Sequence, residues 1–566
     1  MKWIKRENAN PDTVNHLRDV LQVSEPIAQL LAQRGISTFE EAKSFFRPSL
    51  AELHDPFLLK DMDKATARII QAIDNEENIM IYGDYDVDGT TSVALVIDFL
   101  RHFTDKLTPY IPDRYKEGYG LSYDGIDYAH QIEVSLIISL DCGIKAVDKV
   151  TYANNKQIDM IICDHHLPGK QVPEALAVID PKQADCHYPF KELCGCGIGF
   201  KLSSAINKLK NETIEMTRYL DLVAIAIGSD IVPINGENRI LAFHGLKKIN
   251  EKPRAGIQAM IDQSKKKHFT ITDVVFIIGP RINAAGRMEH GSHAVELLTE
   301  EKINRATAFS KKLEVYNTDR KQTDKTITAE AKCQIEDNKE ENAATSVVFD
   351  ENWHKGVIGI VASRLIETYY RPTLVFTKSG DYLAASARSV KGFDIYKAIN
   401  ACNEHLLQFG GHKYAAGLTL KEEQYTGFKQ AFENQVAKTI PEECKEPQLV
   451  YDFTLSPDDI SPKFTRILKQ FAPFGPANQK PIFKFTNLKD TGFAKQVGKE
   501  GNHLKCHLFE NKDGKRFDAI GFNLGDQLEV VKDYPVDIIA GIEDNEWSGA
   551  VKTQLNIKSL RRSYLP

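Results

Sequence analysis

The chain has 566 residues, too many for one compact core, and ordinary domain sizes divide it into about three or four units. With 42% hydrophobic and 27% charged residues and no apolar run approaching the ~20 residues that span a bilayer, it fits a globular class and not a disordered, collagenous or membrane-spanning one. A net charge of −6 argues against a protein that coats nucleic acid over its whole surface, but leaves room for a local basic channel.

The opening MKWIKRENANPD turns polar at once and lacks an apolar signal core, so secretion is not expected. Nine scattered cysteines, an odd number, suit reduced thiols in a cytoplasmic protein better than a disulfide framework. Cys186, Cys194 and Cys196 form the one cluster, and their spacing does not match a two-plus-two zinc site.

In chain order, residues 1–55 show helical periodicity with polar breaks and read as a lead-in. From Ile79 onward short β-branched runs alternate with helical stretches, a pattern that predicts a parallel sheet in an α/β domain over 56–300. IMIYGD, VSLIISLDCG, DMIICDHH and LAVIDPK each run apolar and then meet an acid: Asp84, Asp141, Asp164 and Asp180. Asp230 ends a further apolar run, AIAIGSD, and is taken as a fifth acid at a strand end. In open parallel sheets the ligand crevice lies at the carboxyl edge of the strands, and a row of carboxylates there repels itself unless cations are bound.

Residues 301–340 lack Gly and Pro, are densely charged, and predict a long connecting helix, either simply solvated or in contact with DNA. A second α/β unit follows over 341–440, then a linker at PEECKEPQ. Many short strands over 449–566 predict a small barrel, with the OB-fold as the leading candidate.

GDYDVDGTTS places Asp84, Asp86 and Asp88 at alternating positions after a strand. An EF-hand loop opens similarly, but its twelfth position needs Glu where this chain has Leu95, and a helix must precede it. Small residues after Gly89 let a helix N-terminus approach a phosphate. Asp164-His165-His166 adds imidazoles at the next strand edge. Hard oxygen ligands with one or two imidazoles suit Mn²⁺ or Mg²⁺, and two such ions together can clamp a phosphodiester and generate hydroxide. Capping or structural ion pairs explain any one of these acids, but hardly all five. Trp353 and Trp547 are candidates for base stacking, although an isolated aromatic is more often core.

DYDVDG, LDCG, DHH and the Asp of GSDIVP, in that order, resemble the four motifs of the DHH phosphoesterase superfamily. IPDRYKEGYGLS, IGPRINAAGRM, NWHKGVIGIVASRL, SARSVKGFDI, GGHKYAAGL and APFGPANQKPIF extend the resemblance, over about residues 50–560, to its RecJ-like exonucleases. The resemblance implies a DHH domain, a connecting helix, a DHHA1 domain and an OB domain around a central hole or groove. It implies a 5′→3′ exonuclease that releases 5′-mononucleotides from single-stranded DNA in repair and recombination. A single-strand-binding protein and a RecQ-type helicase are the implied partners.

Matched residue by residue, Asp86, Asp88, Asp141, His165 and Asp230 fall on metal ligands, with Asp141 also counted as catalytic beside Asp164. His166 falls on the histidine that faces the scissile phosphate. Asp84 matches the first Asp of the motif. Tyr82 stands where many members carry a histidine ligand, which leaves the first metal's coordination open. Ser386, Arg388, Gly410, Gly411 and His412 match elements that bind the terminal phosphate, and Arg114 and Arg281 match further phosphate contacts. Arg supplies a planar fork of donors, and a Gly-Gly pair lets backbone N–H groups approach an anion, although such a pair also suits a tight turn. Two alternatives stand beside this reading. A phosphodiesterase for short RNA or cyclic dinucleotides lacks the C-terminal barrel, and a non-catalytic DHH scaffold has lost motif acids that this chain retains.

Overall fold

The computed structural model describes residues 1–211, 214–510, 514–547 and 550–563. The chain begins with a short strand, β1 (Lys2–Lys5), and three helices, α1 (Pro11–Leu21), α2 (Glu25–Ala32) and α3 (Phe39–Phe46). Asn10 caps α1, and Thr38 with Glu41 closes a reciprocal capping box on α3, so these helices start where the sequence supplies side-chain acceptors.

Strands β2 (Asn78–Gly83), β3 (Leu107–Tyr110), β4 (Val134–Leu140), β5 (Asp159–Cys163) and β6 (Ala177–Ile179) follow. They form a parallel sheet in the order β3-β2-β4-β5-β6. Alternate residues supply two cores. Ile79, Ile81, Leu136, Ile138 and Ile161 pack on one face, while Met80, Tyr82, Ile137 and Ile162 pack on the other. A sheet covered on both faces reads as continuous β-branched runs, which is why these strands were visible in the sequence.

Helices α4 (Val87–Leu100), α5 (Gly195–Leu209), α6 (Leu220–Ser229) and α7 (Gly236–Glu251) complete the layer around the first core. The run before Asp230 is therefore a helix, not a strand. α6 is buried on all sides, and an apolar run without polar breaks carries no period to separate the two.

α8 (Gly279–Met288) leads toward α9 (Ile303–Asp337), the predicted long helix, unbroken over 35 residues. Its first third buries Ala306 and Leu313 in the first core of the parallel-sheet unit, and its last third buries Ile327, Ala331 and Ile335 in a separate core. The second α/β unit contains β7 (Ser346–Phe349), α10 (Ile358–Tyr369), β8 (Thr373–Ser379), β9 (Tyr382–Arg388), β10 (Gln408–His412) and β11 (Ala415–Leu420). Its sheet order is β10-β11-β9-β8-β7.

The predicted linker ends in β12 (Gln448–Tyr451), which pairs in parallel with β1 and ties the N-terminal segment to the start of the C-terminal barrel. Strands β13 (Ile482–Asp490), β14 (Lys495–Val497), β15 (His503–Phe509), β16 (Arg516–Gly521), β17 (Val536–Trp547) and β18 (Ala550–Arg562) form a sheet that closes through a β13–β15 pairing. The result is an OB-like barrel. Leu17, Ile27, Leu30 and Leu31 share its core with Phe483, Phe485 and Ile538, so the N-terminal helices pack on the barrel.

Candidate metal centre and phosphate cleft

The order β3-β2-β4 reverses the chain's direction across the sheet between β2 and β4, so a crevice opens at their carboxyl ends. Asp84 follows β2 and Asp141 follows β4, and the two acids flank that point. Asp86 caps α4, accepting from the Gly89 N–H at 3.0 Å. Asp88 lies in the first turn of the same helix, where its carboxylate accepts from the N–H groups of Gly195 at 2.6 Å and Cys196 at 2.8 Å, at the start of α5. Asp141 adopts a left-handed backbone, φ 61°, an uncommon cost for a residue with a Cβ and one found at functional sites. A Cβ on Gly195 would lie 2.7 Å from the Asp141 Cβ, so glycine lets α5 close against it.

His165 is the hub. Its Nε2 lies 3.1 Å from Asp141 Oδ1, 3.5 Å from Asp230 Oδ2 and 3.7 Å from Asp88 Oδ2. Two overlapping triads result, Asp141–His165–His166 and Asp88–His165–Asp230, with the donor atoms of each within 4.8 Å of one another. Burial, and then the neighbouring carboxylates, push Asp84 to about 8, Asp88 to about 7 and Asp230 to about 8, and Asp141 well above its ordinary value. Burial holds His165 neutral, near 3. A neutral imidazole among buried acids that oppose each other's ionisation is a set of ligands awaiting cations. Asp84 fits the same set: Oδ1 accepts from the Gly120 N–H at 3.1 Å, whereas Oδ2 is buried without a partner. The oxygen-rich donors suit Mn²⁺ or Mg²⁺.

Asp164 is arranged differently. Its Oδ1 accepts from the backbone N–H groups of His165 at 2.7 Å and His166 at 3.1 Å and meets His166 Nδ1 at 2.7 Å, while Oδ2 accepts from the Ile144 N–H at 2.9 Å. Burial works against its charge, but the His166 contact and these N–H donors hold it near 2. The same contact outweighs desolvation and raises the His166 pKa. Asp164 therefore orients the histidine pair. His166 turns its Nε2 toward the Tyr119 hydroxyl at 3.3 Å. Tyr82 faces the other side of the sheet, donating to the Gly120 carbonyl at 2.9 Å, and is remote in role from the ligand set. Asp180 is buried at the end of β6 with one oxygen unpartnered, outside both triads.

The second half of the site lies on the sheet that contains β9. Register pairs Arg388 with Ala415 and Ala415 with His412, and pairs Ser386 with Gly417 and Gly417 with Gly410. Ser386, Arg388, Gly410 and His412 thus share one face, with only Gly417 and Ala415 between them. Gly410 and Gly411 lie in the edge strand β10, not in a turn. Arg388 Nη1 donates to the Ser386 hydroxyl at 3.1 Å, and both abut the first turn of α10.

Arg114 lies over the Tyr85 ring, 4.6 Å from its centroid. Burial, and then the charges of Arg114, Arg388 and Arg320, push Arg287 down to about 9. Arg287 was missed in the sequence although it lies within the quoted IGPRINAAGRM. It bridges the two α/β units by donating to the Gly356 carbonyl at 2.8 Å. Lys355, which feels the Arg114 charge, was missed as well. Arg281 is committed elsewhere, with its Nε 2.6 Å from Glu314 Oε2 on α9. Trp353 is core, donating from Nε1 to Glu330 at 2.8 Å, and the Trp547 side chain lies outside the described residues. Cys194 caps α5 as a buried thiol, and Cys186 and Cys196 are buried too.

Comparison with known proteins accords with this geometry. Residues 78–227 match the N-terminal domain of the DHH family, 340–438 the DHHA1 domain and 451–559 the RecJ OB domain. The single-stranded-DNA-specific exonuclease RecJ of Bacillus subtilis is 35% identical over 566 residues, 99% of this chain and 70% of that protein. The Escherichia coli exonuclease of the same name is 31% identical over 565 residues, 94% of this chain and 95% of its own. Among solved structures, RecJ from Thermus thermophilus in complex with Mn²⁺ aligns with a TM-score of 0.85 at 25% identity, covering 100% of this chain and 80% of that one. An exonuclease RecJ bound to manganese aligns at 0.61 and 29% identity over 70% of this chain and 99% of its own. With all three domain types in order and a relative 35% identical over 99% of this chain, the chain belongs to the RecJ family of DHH proteins.

Proposed function

We propose that this protein is a metal-dependent exonuclease specific for single-stranded DNA that cuts from the 5′ end and releases 5′-mononucleotides. One observation supports this most: next to the buried carboxylate–imidazole cluster, Arg114 lies over the ring of Tyr85, the residue after Asp84, and its charge is felt by Arg287 and Arg388. The cluster needs cations and the arginines need an anion, and a phosphodiester chain satisfies both.

Asp86, Asp88, Asp141, His165 and Asp230, with Asp84 beside them, would hold two Mn²⁺ or Mg²⁺ ions. When bound, these supply a polarised phosphate and a hydroxide nucleophile at neutral pH. Asp164 holds Nδ1 of His166 so that Nε2 can donate to a non-bridging phosphate oxygen, where negative charge grows as the nucleophile adds. The Tyr119 hydroxyl lies 3.3 Å from the same nitrogen. Ser386, Arg388 and the Gly410–His412 strand present a bare, cationic shelf for a terminal phosphate.

The barrel, sharing its core with α1–α3, supports a role in holding strand beyond the cut. A nuclease restricted to single strands depends on strand separation, which supports a RecQ-type helicase and a single-strand-binding protein as co-workers in repair and recombination. Nine free thiols, eight of them buried, support a cytoplasmic setting, and no helix among the described residues is long and apolar enough to cross a membrane.

The test is a substrate panel of end-labelled single-stranded DNA, duplex DNA, RNA and pApA with Mn²⁺ or EDTA. Metal-dependent degradation of single-stranded DNA well ahead of the others is expected. Preference for pApA, or cutting in EDTA, contradicts the proposal.

A further inference from the structure

The metal cluster and the Ser386–Arg388 shelf lie on separate sheets, so the length of the released product depends on what fixes their separation. Two ion pairs flank the middle of α9, one toward each of these sheets. On the DHH side, α8 packs against the DYDVDG loop so closely that a Cβ on Gly286 would lie 2.7 Å from the Tyr85 carbonyl. The same helix carries Arg281, paired at 2.6 Å with Glu314. On the other side, α10 starts against Ser386 and Arg388 at Gly359 and carries Arg364 one turn further on. Arg364 grips the buried Asp324 with contacts of 2.8, 3.0 and 2.9 Å.

Glu314 and Asp324 are ten residues apart on one unbroken helix, about 15 Å along its axis. Between them Asn317 and Arg320 are buried and joined at 2.8 Å, so this span is packed and polar, not a free rod. The apolar anchors of α9 lie outside this span, in the two separate cores. Apolar contacts tolerate sliding, whereas the bidentate Arg364–Asp324 pair fixes angle and distance, and Arg281–Glu314 adds one close charge contact on the other side.

Resting on the exonuclease reading above, we propose that Arg281–Glu314 and Asp324–Arg364 act as a calliper that sets the distance between the metal cluster and the terminal-phosphate shelf, and so the one-nucleotide step. These four are positioning residues and touch neither the metal nor the phosphate. Mere spatial continuity is no proof of coupling, so the readout has to be product length, which a purely structural role does not move.

The experiment digests a 5′-phosphorylated single strand with Mn²⁺ and resolves the products by mass spectrometry for wild type, Glu314→Gln, Arg364→Gln, the double variant and Arg364→Lys. Wild type is expected to release mononucleotides. Each neutral variant is expected to raise the di- and trinucleotide fraction at least tenfold, the double variant more, and Arg364→Lys much less. Glu314 is partly exposed, so Glu314→Gln folds and decides the matter alone if Arg364→Gln does not. Variants that turn over more slowly yet still release only mononucleotides overturn the calliper and leave the exonuclease reading standing. A wild type that does not release mononucleotides overturns both.

Discussion

Asp141 and Asp164 are both acids at strand ends, and the sequence treats them alike. The structure separates them by what their oxygens touch. Asp141 faces His165 and other acids, whereas Asp164 has both oxygens occupied by N–H donors. Replacing Asp141 with Asn should abolish cleavage yet raise the thermal midpoint of the metal-free protein, because one of several mutually repelling buried carboxylates is gone. In wild type, Mn²⁺ at 100 times its Kd should add about 2.7 kcal/mol of stability, and most of that gain should vanish in the variant. A lower metal-free midpoint in calorimetry with an intact Mn²⁺ response would show that Asp141 is structural. Asp164→Asn should instead slow cleavage about 10–100-fold while leaving the Mn²⁺ stabilisation largely in place, as expected for a group that orients ligands. The ligand types were legible because acids and histidines interrupt β-branched runs. That Asp164 serves as a brace was not, since hydrogen-bond partners such as Ile144 N–H carry no sequence signal.

At the level of elements, the parallel strands and the long helix were readable from period and composition, whereas α6 was not. A helix buried on every side has no polar face to reveal its turn. Arg281 shows a different limit. Its motif marked it as a phosphate contact, and the fold adds a partner that the sequence did not announce, Glu314. Gly359 passed unnoticed because its role is an absence. A Cβ there would lie 2.8 Å from Ser386 Oγ and 2.9 Å from Arg388 Nη2. Gly359→Ala should therefore displace the arginine without weakening α10, where Ala is the better helix former by about 1 kcal/mol. The expected result is an unchanged or higher thermal midpoint, with a preference for 5′-phosphorylated over 5′-hydroxyl strands that shrinks several-fold. An unaltered preference would place the terminal phosphate elsewhere.

Across the whole molecule the lead-in was legible as helices but not as part of the barrel, because a contact between residues about 450 positions apart leaves no local pattern. β1 pairs with β12, and Arg239 on α7 donates to the carbonyls of Phe45, Phe471 and Ala472, locking catalytic unit, N-terminal helices and barrel together. Deleting residues 449–566 alone should thus strip the cover from Leu17, Ile27 and Leu31 and yield an aggregating protein. Deleting residues 1–49 as well should give a soluble core that cleaves short oligonucleotides but binds long strands weakly. Light scattering of the two truncations compares them, and equal solubility would contradict the shared core.

The central claim is that a terminal phosphate held at Arg388 presents the first phosphodiester to the cluster around His165. The most direct measurement follows one single strand, labelled at either end and with or without a 5′-phosphate, through digestion by wild type and Arg388→Ala in Mn²⁺ at matched salt. The account predicts that a 5′ label leaves at once as a mononucleotide while a 3′ label shortens progressively. It further predicts that Arg388→Ala loses rate mainly on the phosphorylated strand, because alanine removes the planar fork of donors that lies beside Ser386. Release of the 3′ label first, or an equal loss on both strands in the variant, would contradict it.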